Sequence, residues 1–302
     1  MTDVRTAVAD SPSTAADFVV DTPAGELRAS ALDGWSSDDA AAAMTRSFED
    51  YLVPMTVDGA GFAQRFGAED IDRFLSRIYL DGDRVAGIAL VCRRGWTARL
   101  GGFGVAPDHR GRGVARSLMH DVARRVAAAG SERLVLEVIS TNTAAVRLYE
   151  SLGFEPVRQL VGYRWDGPVD TAAAPGVAEV DPVRVARALA QSGPVDPPWQ
   201  LAPETVAAAA PPRRAFSLDD RAFALVKTTA EAVTLTALVV HPDVRRRGYG
   251  TRLIAGLQAR FAGRPWSIPP LVPADTAAPF FQSTGWAKHE LEQTEMSCDL
   301  TH

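Results

Sequence analysis

The sequence has little cysteine and no long apolar run. Its two cysteines, Cys92 and Cys298, lie in different halves without metal-ligand spacing, so neither a disulfide framework nor a metal site is predicted. No run of about eighteen apolar residues suggests a membrane helix. The acidic N-terminal region lacks the apolar core of a signal peptide. Together these absences predict a cytoplasmic protein that neither spans nor binds a membrane.

The chain also lacks an excess of positive charge. It carries 32 Lys and Arg against 37 Asp and Glu, for a net charge of -5. Nucleic-acid-binding proteins usually carry a basic excess, so this class is not expected. The 302 residues are 46% hydrophobic and 23% charged, which is enough for about two packed domains.

One segment occurs twice. The stretch "PDHRGRGVAR" (Pro107–Arg116) returns as "PDVRRRGYGTR" (Pro242–Arg252), with an offset of 135 residues, which is the size of a domain. Between the two copies, the stretch "DGPVDTAAAPG" (Asp166–Gly176) is rich in Pro, Ala and Gly, which is the composition of a linker. The predicted division is a flexible tail (1–23), a first domain (24–167), a linker (168–176) and a second domain (177–302).

Both halves show the same order of elements. Strands are expected to end at Val105 and Val240, each followed by a glycine turn, a helix, a strand and a second helix. The amphipathic helix after the first turn is marked by apolar residues every four positions: Val114, Leu118, Val122 and Val126. The corresponding residues after the second turn are Leu253, Ile254, Leu257 and Phe261. This order predicts an α/β fold with a mixed sheet in each half.

The turn after Val105 has the composition of an anion site. Gly111 and Gly113 allow the backbone to bend and expose consecutive N–H groups, and the helix that follows adds the positive end of its dipole. Arg110 and Arg112 supply further positive charge. The alternative is an ordinary glycine-containing loop. A dinucleotide-binding motif is disfavoured, because the glycine spacing differs from G-x-G-x-x-G.

At this turn the chain resembles the GCN5-related N-acetyltransferase superfamily. The family signature R/Q-x-x-G-x-G/A matches Arg110–Ala115 and again Arg245–Gly250. The resemblance implies two tandem domains and acetyl-CoA as co-substrate, with turn N–H groups holding its pyrophosphate and the preceding strand pairing with its pantetheine arm. The residues implied in acetyl-CoA binding are Phe103, Val105, Arg110, Gly111, Arg112, Gly113, Val114, Ala115, Asn142, Val240, Arg245, Gly248 and Gly250.

A second family motif, N-x-x-A-x-x-x-Y, matches the segment from Asn142 to Tyr149. It is similar to the version in ribosomal-protein N-terminal acetyltransferases, which implies Glu137 as general base, Tyr149 as general acid and Asn142 as a pantetheine contact. A carboxylate and a phenol suit the reaction, since the amine loses a proton and the leaving thiolate gains one. The alternatives are a core role for Tyr149, a solvent-facing Glu137 and a helix-capping Asn142.

The stretch "SFEDYLVPM" (Ser47–Met55) matches the region that shapes the acceptor site in related acetyltransferases. Asp50 and Tyr51 are therefore candidate amine contacts. The alternative for both is the exposed end of a helix before Pro54. The net negative charge slightly favours a cationic or amine acceptor.

The second copy lacks the residue types that move protons. Asp275 stands in place of Asn142, Phe281 in place of Tyr149 and Pro270 in place of Glu137. We therefore predict a catalytic first domain and a degenerate second one. Mycothiol synthases are similar in layout, but there the C-terminal domain is the active one.

The predicted function is acetyl transfer from acetyl-CoA to a primary amine of a small molecule or peptide. It proceeds directly, without a covalent enzyme intermediate and without a metal. One alternative is a non-catalytic acyl-CoA-binding sensor or scaffold. Another is an amino-sugar acetyltransferase similar to mycothiol synthase. The sequence predicts neither the identity of the acceptor nor the oligomeric state.

Overall fold

The computed structural model describes residues 17–53, 56–167, 176–276 and 278–301. Contacts divide the chain into two compact units. Unit 1 contains the described residues up to Val157 together with those from Thr294, and unit 2 is Arg158–Gln293. Within the described ranges, no helix combines the length and apolar content that crossing a membrane requires.

Unit 1 is an α/β unit around a mixed sheet. Strands β1 to β5 pair antiparallel in chain order, and β6 lies parallel to β5. Its elements are β1 Phe18–Thr22, β2 Gly25–Ala31, α1 Ser37–Ser47, α2 Gly59–Ala68, β3 Arg77–Asp81, β4 Arg84–Arg94, β5 Thr97–Val105, α3 Val114–Ala128, β6 Arg133–Ile139 and α4 Thr143–Glu150.

Unit 2 repeats this architecture. In its sheet, β11 pairs parallel with β12, and the other neighbouring strands are antiparallel, in the order β8-β9-β10-β11-β12-β7. Its elements are β7 Glu155–Trp165, which begins in unit 1, β8 Val177–Val180, α5 Pro182–Ser192, α6 Pro203–Ala207, β9 Arg213–Leu218, β10 Ala222–Thr228, β11 Val233–Val240, α7 Tyr249–Arg260, β12 Trp266–Pro273, α8 Ala278–Ser283 and β13 Ala287–Asp299. The predicted α/β fold with mixed sheets is confirmed.

The segment after Thr294 belongs to unit 1. Strand β13 is the neighbour of β6, and Met296, Cys298 and Leu300 are buried in the core of that unit. The Ser140 hydroxyl lies 3.1 Å from that of Thr294, at the end of β6. Residues about 155 positions apart along the chain therefore complete one sheet, an arrangement that no local sequence signal predicts.

The predicted boundaries differ from the units at three places. The tail predicted to reach residue 23 ends earlier, because Phe18–Thr22 pairs with β2; residues 1–16 lie outside the described residues. The segment Arg158–Trp165, predicted with the first domain, pairs with β12 in unit 2. The segment from Thr294, predicted with the second domain, lies in unit 1. Of the predicted linker, only Gly176 is described.

The helix after each glycine turn carries the predicted apolar face. Val114, Leu118, Val122 and Val126 are at most 1% exposed, and they pack in the core of unit 1. The four corresponding residues of α7 are buried in the core of unit 2. Each buried aliphatic side chain contributes about 1.5–3 kcal/mol relative to exposure, so this packing fixes the start of each helix against its sheet.

Candidate active site

The glycine turn of unit 1 forms a concave row of N–H groups. Strand β5 ends at Val105, and α3 begins at Val114. Gly111 and Gly113 have φ of 70° and 81°, in the left-handed region that glycine adopts without strain. The five N–H groups from Gly111 to Ala115 donate to no described residue. Successive free N–H groups at a helix N-terminus suit a phosphate or diphosphate.

Beside this turn, β5 separates from β6. The parallel pairing of the two strands ends at Leu100 and Leu136. The next residue, Gly101, is the extra residue of a bulge against β4. A Cβ there would lie 3.1 Å from Nη1 of Arg99 and 3.2 Å from Sγ of Cys92, so a side chain at this position would crowd both neighbours. The bulge turns β5 away and opens a gap between two parallel strands.

The residues predicted to pair with pantetheine face this gap. The Ala106 N–H donates to the Ala86 carbonyl at 2.8 Å, which fixes the alternation of hydrogen-bonded pairs between β5 and β4. By that alternation, the polar backbone groups of Phe103 and Val105 point away from β4 and toward the gap. A ligand in extended conformation would find strand-like hydrogen-bonding groups there.

Tyr149 is a buried residue of α4. It is 7% exposed, and its ring centroid lies 5.7 Å from that of Phe154. Its hydroxyl donates to no residue in the described part of the chain. Burial, and then the nearby phenol of Tyr51, raise the pKa of Tyr149 above its ordinary value. The phenol proton of Tyr149 is therefore retained at neutral pH.

Glu137 lies in a buried ion-pair network rather than in solvent. The Arg99 guanidinium donates to both of its carboxylate oxygens, at 2.7–3.0 Å, and to Glu69 at 2.7 Å. The three side chains are 2–5% exposed. Burial alone would lower the pKa of Arg99, but the two carboxylates raise it above its ordinary value. Arg99 is therefore a permanent cation that fixes the Glu137 carboxylate.

The candidate acceptor residues follow α1. Asp50 is exposed with φ of 59°, and the Tyr51 ring packs edge-on against Phe48, with centroids 5.2 Å apart. Both line a cavity of about 620 Å³; its lining residues are Ala42, Thr45, Arg46, Phe48, Glu49, Asp50, Tyr51 and Thr56. Pro54 and Met55 lie outside the described residues. The loop after α1 thus places an exposed carboxylate and a phenol side by side at this cavity.

The two turn arginines are placed differently. Arg110 donates from Nε to the Val105 carbonyl at 2.7 Å, and from Nη2 to the carbonyls of Ser47 and Glu49. Arg112 is exposed and contacts the Ala24 carbonyl at 3.3 Å. The positive charge of Arg110 was predicted to supplement the anion site. In the structure it is directed toward backbone carbonyls.

Asn142 caps α4. Its side-chain oxygen accepts from the Ala145 N–H at 3.2 Å, which is the capping alternative considered from the sequence. Its amide nitrogen donates to no described residue, so the group remains available for the predicted pantetheine contact.

The turn of unit 2 keeps the backbone conformation of the first. Arg246 and Gly248 have φ of 63° and 79°, at the positions of Gly111 and Gly113. The bulge recurs at Thr236, 135 residues after Gly101, and β11 ends at Val240 as predicted. Gly250 approaches Phe280, with 3.3 Å between a Cβ at that position and the ring.

The proton-transfer positions of unit 2 hold no ionisable group. Phe281 is 4% exposed, and its ring centroid lies 4.8 Å from that of Tyr163. The Trp286 N–H donates to its carbonyl, as that of Phe154 does to Tyr149, so Phe281 is the structural counterpart of Tyr149. Pro270 lies in an irregular part of β12, between its two stretches of pairing with β7.

Sequence reasoning missed the partner of Glu137. Arg99 is the single charged residue of β5, two residues before the bulged Gly101. A lone cation in a buried strand signals a buried anionic partner. Glu69, at the end of α2, carries no comparable signal, because that helix is itself poorly marked in the sequence.

Comparison with known proteins gives the same family for both units. The model described as "Acetyltransferase (GNAT) family" matches residues 38–154, and "Acetyltransferase (GNAT) domain" matches residues 215–302. A GCN5-related N-acetyltransferase from Sphaerobacter thermophilus superposes with a TM-score of 0.64 at 17% identity, covering 96% of this chain and 97% of that one. A tandem GNAT protein from the clavulanic acid biosynthesis pathway superposes with a TM-score of 0.61 at 15% identity, covering 91% and 98%.

Curated relatives match parts of the chain. Streptothricin acetyltransferase of Streptomyces lavendulae is 37% identical over 108 residues, covering 34% of this chain and 57% of the relative. The [Ribosomal protein bS18]-alanine N-acetyltransferase of Salmonella typhimurium is 36% identical over 83 residues, covering 28% and 56%. The chain thus spans little more than half the length of these relatives. Both units carry the fold, and relatives of named activity are acetyltransferases. The chain therefore belongs to the GNAT acetyltransferase family and contains two tandem GNAT domains.

Proposed function

We propose that unit 1 transfers an acetyl group from acetyl-CoA to a primary amine, and that unit 2 does not turn over. The observation that carries this proposal is the contrast between the units. Both keep the glycine turn and the bulged strand, but unit 1 has the phenol of Tyr149 at the position where unit 2 has Phe281.

The residues of unit 1 fit acetyl-CoA as co-substrate. The N–H groups of Gly111–Ala115 suit its diphosphate, and the gap-facing backbone of Phe103 and Val105 suits its pantetheine amides. When bound, the co-substrate supplies the acetyl thioester. Asn142, the N-cap of α4, and the exposed Arg112, just before α3, complete the proposed set of contacts.

In the proposed reaction the amine nitrogen bonds to the acetyl carbon, the carbon–sulfur bond breaks, and the sulfur gains a proton. Tyr149 donates that proton, because its phenol is kept protonated and its hydroxyl has no partner among the described residues. Glu137 receives the proton that the amine loses. Since its side chain is only 5% exposed and paired with Arg99, that transfer passes through water.

The acceptor is proposed as an amine of a small molecule or peptide. The named relatives include enzymes acting on streptothricin and on the alanine of a ribosomal protein, so both kinds of amine occur among them. Asp50, exposed at the edge of the cavity, is proposed to contact the ammonium form of the substrate, with Tyr51 as the adjoining wall. We further propose a cytoplasmic setting, because Cys92 and Cys298 are both free thiols.

The test is release of the CoA thiol from acetyl-CoA with a panel of amines, for the parent and two matched variants. Gly113→Trp fills the turn of unit 1, where the added Cβ alone would lie 3.0 Å from Pro23. Gly248→Trp makes the same change in unit 2. Both variants are first checked for folding by circular dichroism, since an added indole can overpack a site.

We expect Gly113→Trp to abolish turnover and Gly248→Trp to leave it largely intact. The reverse pattern would move the chemistry to unit 2, the layout of mycothiol synthases, and would contradict the proposal. Binding of CoA without thiol release for any amine would instead favour an acyl-CoA sensor.

A further inference from the structure

The first arginine of the glycine turn connects the two sides of the proposed active site. Its Nε donates to the carbonyl of Val105, the last residue of β5, on the donor side. Its Nη2 donates to Ser47 at 3.3 Å and Glu49 at 2.5 Å, on the acceptor side. One rigid guanidinium therefore holds the end of the donor strand against the end of α1.

The Ser47 carbonyl that Arg110 contacts is one that a helix leaves unpaired, and the Glu49 carbonyl lies two residues after the helix end. Helix α1 ends at Ser47, and the last carbonyls of a helix have no partner within it. These groups also form the negative end of the helix dipole, where a cation is favourable. Arg110 thus supplies both hydrogen bonds and charge to the point from which the acceptor loop, Phe48–Val53, departs.

Two further features of the structure fix the same end of α1. Gly104 of β5 has no side chain, and a Cβ there would lie 2.8 Å from the Ser47 carbonyl oxygen. Arg46 pairs with Asp108 at 2.8 Å, just before the glycine turn. The end of α1 is therefore held on β5 and on the turn together. Asp50 and Tyr51 follow within a few residues.

Unit 2 contains the same arrangement. Arg245 donates from Nε to the carbonyl of Val240, the last residue of β11, at 3.1 Å. Its Nη2 donates to the carbonyl of Ser192, the last residue of α5. The first arginine of the turn thus makes the same contacts in both units, although the rest of the site differs. This recurrence indicates that the side chain positions the first helix of each unit, α1 or α5.

We propose that Arg110 is a positioning residue for the acceptor side: it fixes the loop that carries Asp50 and Tyr51, and it is not a ligand of the donor phosphates. The proposal rests on the proposed function for the meaning of donor and acceptor. The backbone N–H groups of Gly111–Ala115 then bind the phosphates. Arg110 connects the donor turn to the acceptor loop and fixes the position of that loop.

Two substitutions of Arg110 separate positioning from phosphate binding. Arg110→Met removes both charge and donors. Arg110→Gln removes the charge but keeps an N–H₂ group that can donate to carbonyls. Arg245→Met is the matched control in unit 2. For each protein, hydrogen exchange measures the opening of residues 47–53, and calorimetry measures CoA affinity at two salt concentrations.

With Arg110→Met we expect exchange in residues 47–53 to rise about tenfold or more, because a charge-assisted contact is lost. CoA affinity should stay within about threefold of the parent, with unchanged salt dependence. Arg110→Gln should restore part of the protection, and Arg245→Met should leave residues 47–53 unchanged. With an amine substrate in hand, Arg110→Met should raise its KM while the KM for acetyl-CoA holds.

A loss of CoA affinity of about tenfold or more, with a flatter salt dependence, would overturn the proposal, because a phosphate ligand behaves in that way. Unchanged exchange in residues 47–53 of Arg110→Met would also overturn it. If the parent protein does not bind CoA, the proposed function fails, and the exchange measurement still decides whether Arg110 fixes the loop.

Discussion

The sharpest test of the proposed chemistry compares two buried tyrosines of unit 1. Tyr149 is 7% exposed and Tyr79 is fully buried. The Tyr79 hydroxyl donates to Asp121 at 2.7 Å and lies 3.1 Å from the Arg125 guanidinium, whereas that of Tyr149 makes no hydrogen bond to a described residue. The same substitution, Tyr to Phe, should therefore affect different properties at the two positions.

Tyr149→Phe removes no hydrogen bond among the described residues, so the unfolding free energy should change by less than about 1 kcal/mol. Loss of the proton donor should lower kcat by a factor on the order of 10²–10⁴, which corresponds to about 2.7–5.4 kcal/mol in the activation barrier. CoA affinity should remain close to that of the parent, because the donor contacts come from the glycine turn.

Tyr79→Phe removes a hydrogen bond to a buried carboxylate, which contributes about 1.5–3 kcal/mol. At about 2–4 °C per kcal/mol for a unit of this size, Tm should fall by roughly 3–12 °C, with kcat nearly unchanged. Thiol-release kinetics and thermal unfolding by circular dichroism measure both variants. A kcat for Tyr149→Phe within about twofold of the parent would refute the acid role and leave Tyr149 as a core residue.

Further outcomes follow from the same contacts. Because the pKa of Tyr149 is raised, its ionisation should cause no loss of kcat up to about pH 10. A fall in the kcat of the parent protein below that pH, absent from Tyr149→Phe, would contradict this. Arg99→Met leaves two buried carboxylates without their main partner and should lower the unfolding free energy by about 3–5 kcal/mol in urea titrations. Arg28→Met, at an exposed ion pair, should lower it by less than about 1 kcal/mol; equal losses would refute the network. Phe281→Tyr should create no turnover in Gly113→Trp, because Pro270 supplies no base; thiol release would contradict this.

The features that the sequence predicted are those with local signals. The glycine turns, the ends of β5 and β11 and the apolar faces of α3 and α7 follow from residue type and periodicity, and the structure has all of them. Helix α2 has no such signal, because three of its ten residues are glycine. It forms because Phe62 and Phe66 are buried, which is a tertiary effect.

At the site, the sequence predicted residue types but not their partners. The capping role of Asn142 was one of two alternatives, and the structure shows it. The pairing of Glu137 with Arg99 joins neighbouring strands, and the contacts of Arg110 join residues about 60 positions apart. Such contacts depend on strand register and helix placement, which one sequence does not specify locally.

The late arrival of β13 has a consequence for how the protein is made. Strand β6 is synthesised about 155 residues before its neighbour Thr294–Asp299. At roughly 5–20 residues per second, the nascent chain would carry β6 as an open edge for about 10–30 s. Exposed edges invite pairing with other chains, so this is the interval in which a ribosome-associated chaperone has most to protect. The turn, the phenol and the acceptor loop of unit 1 are translated early. The sheet of that unit is nevertheless completed only when the last residues of the chain have been made.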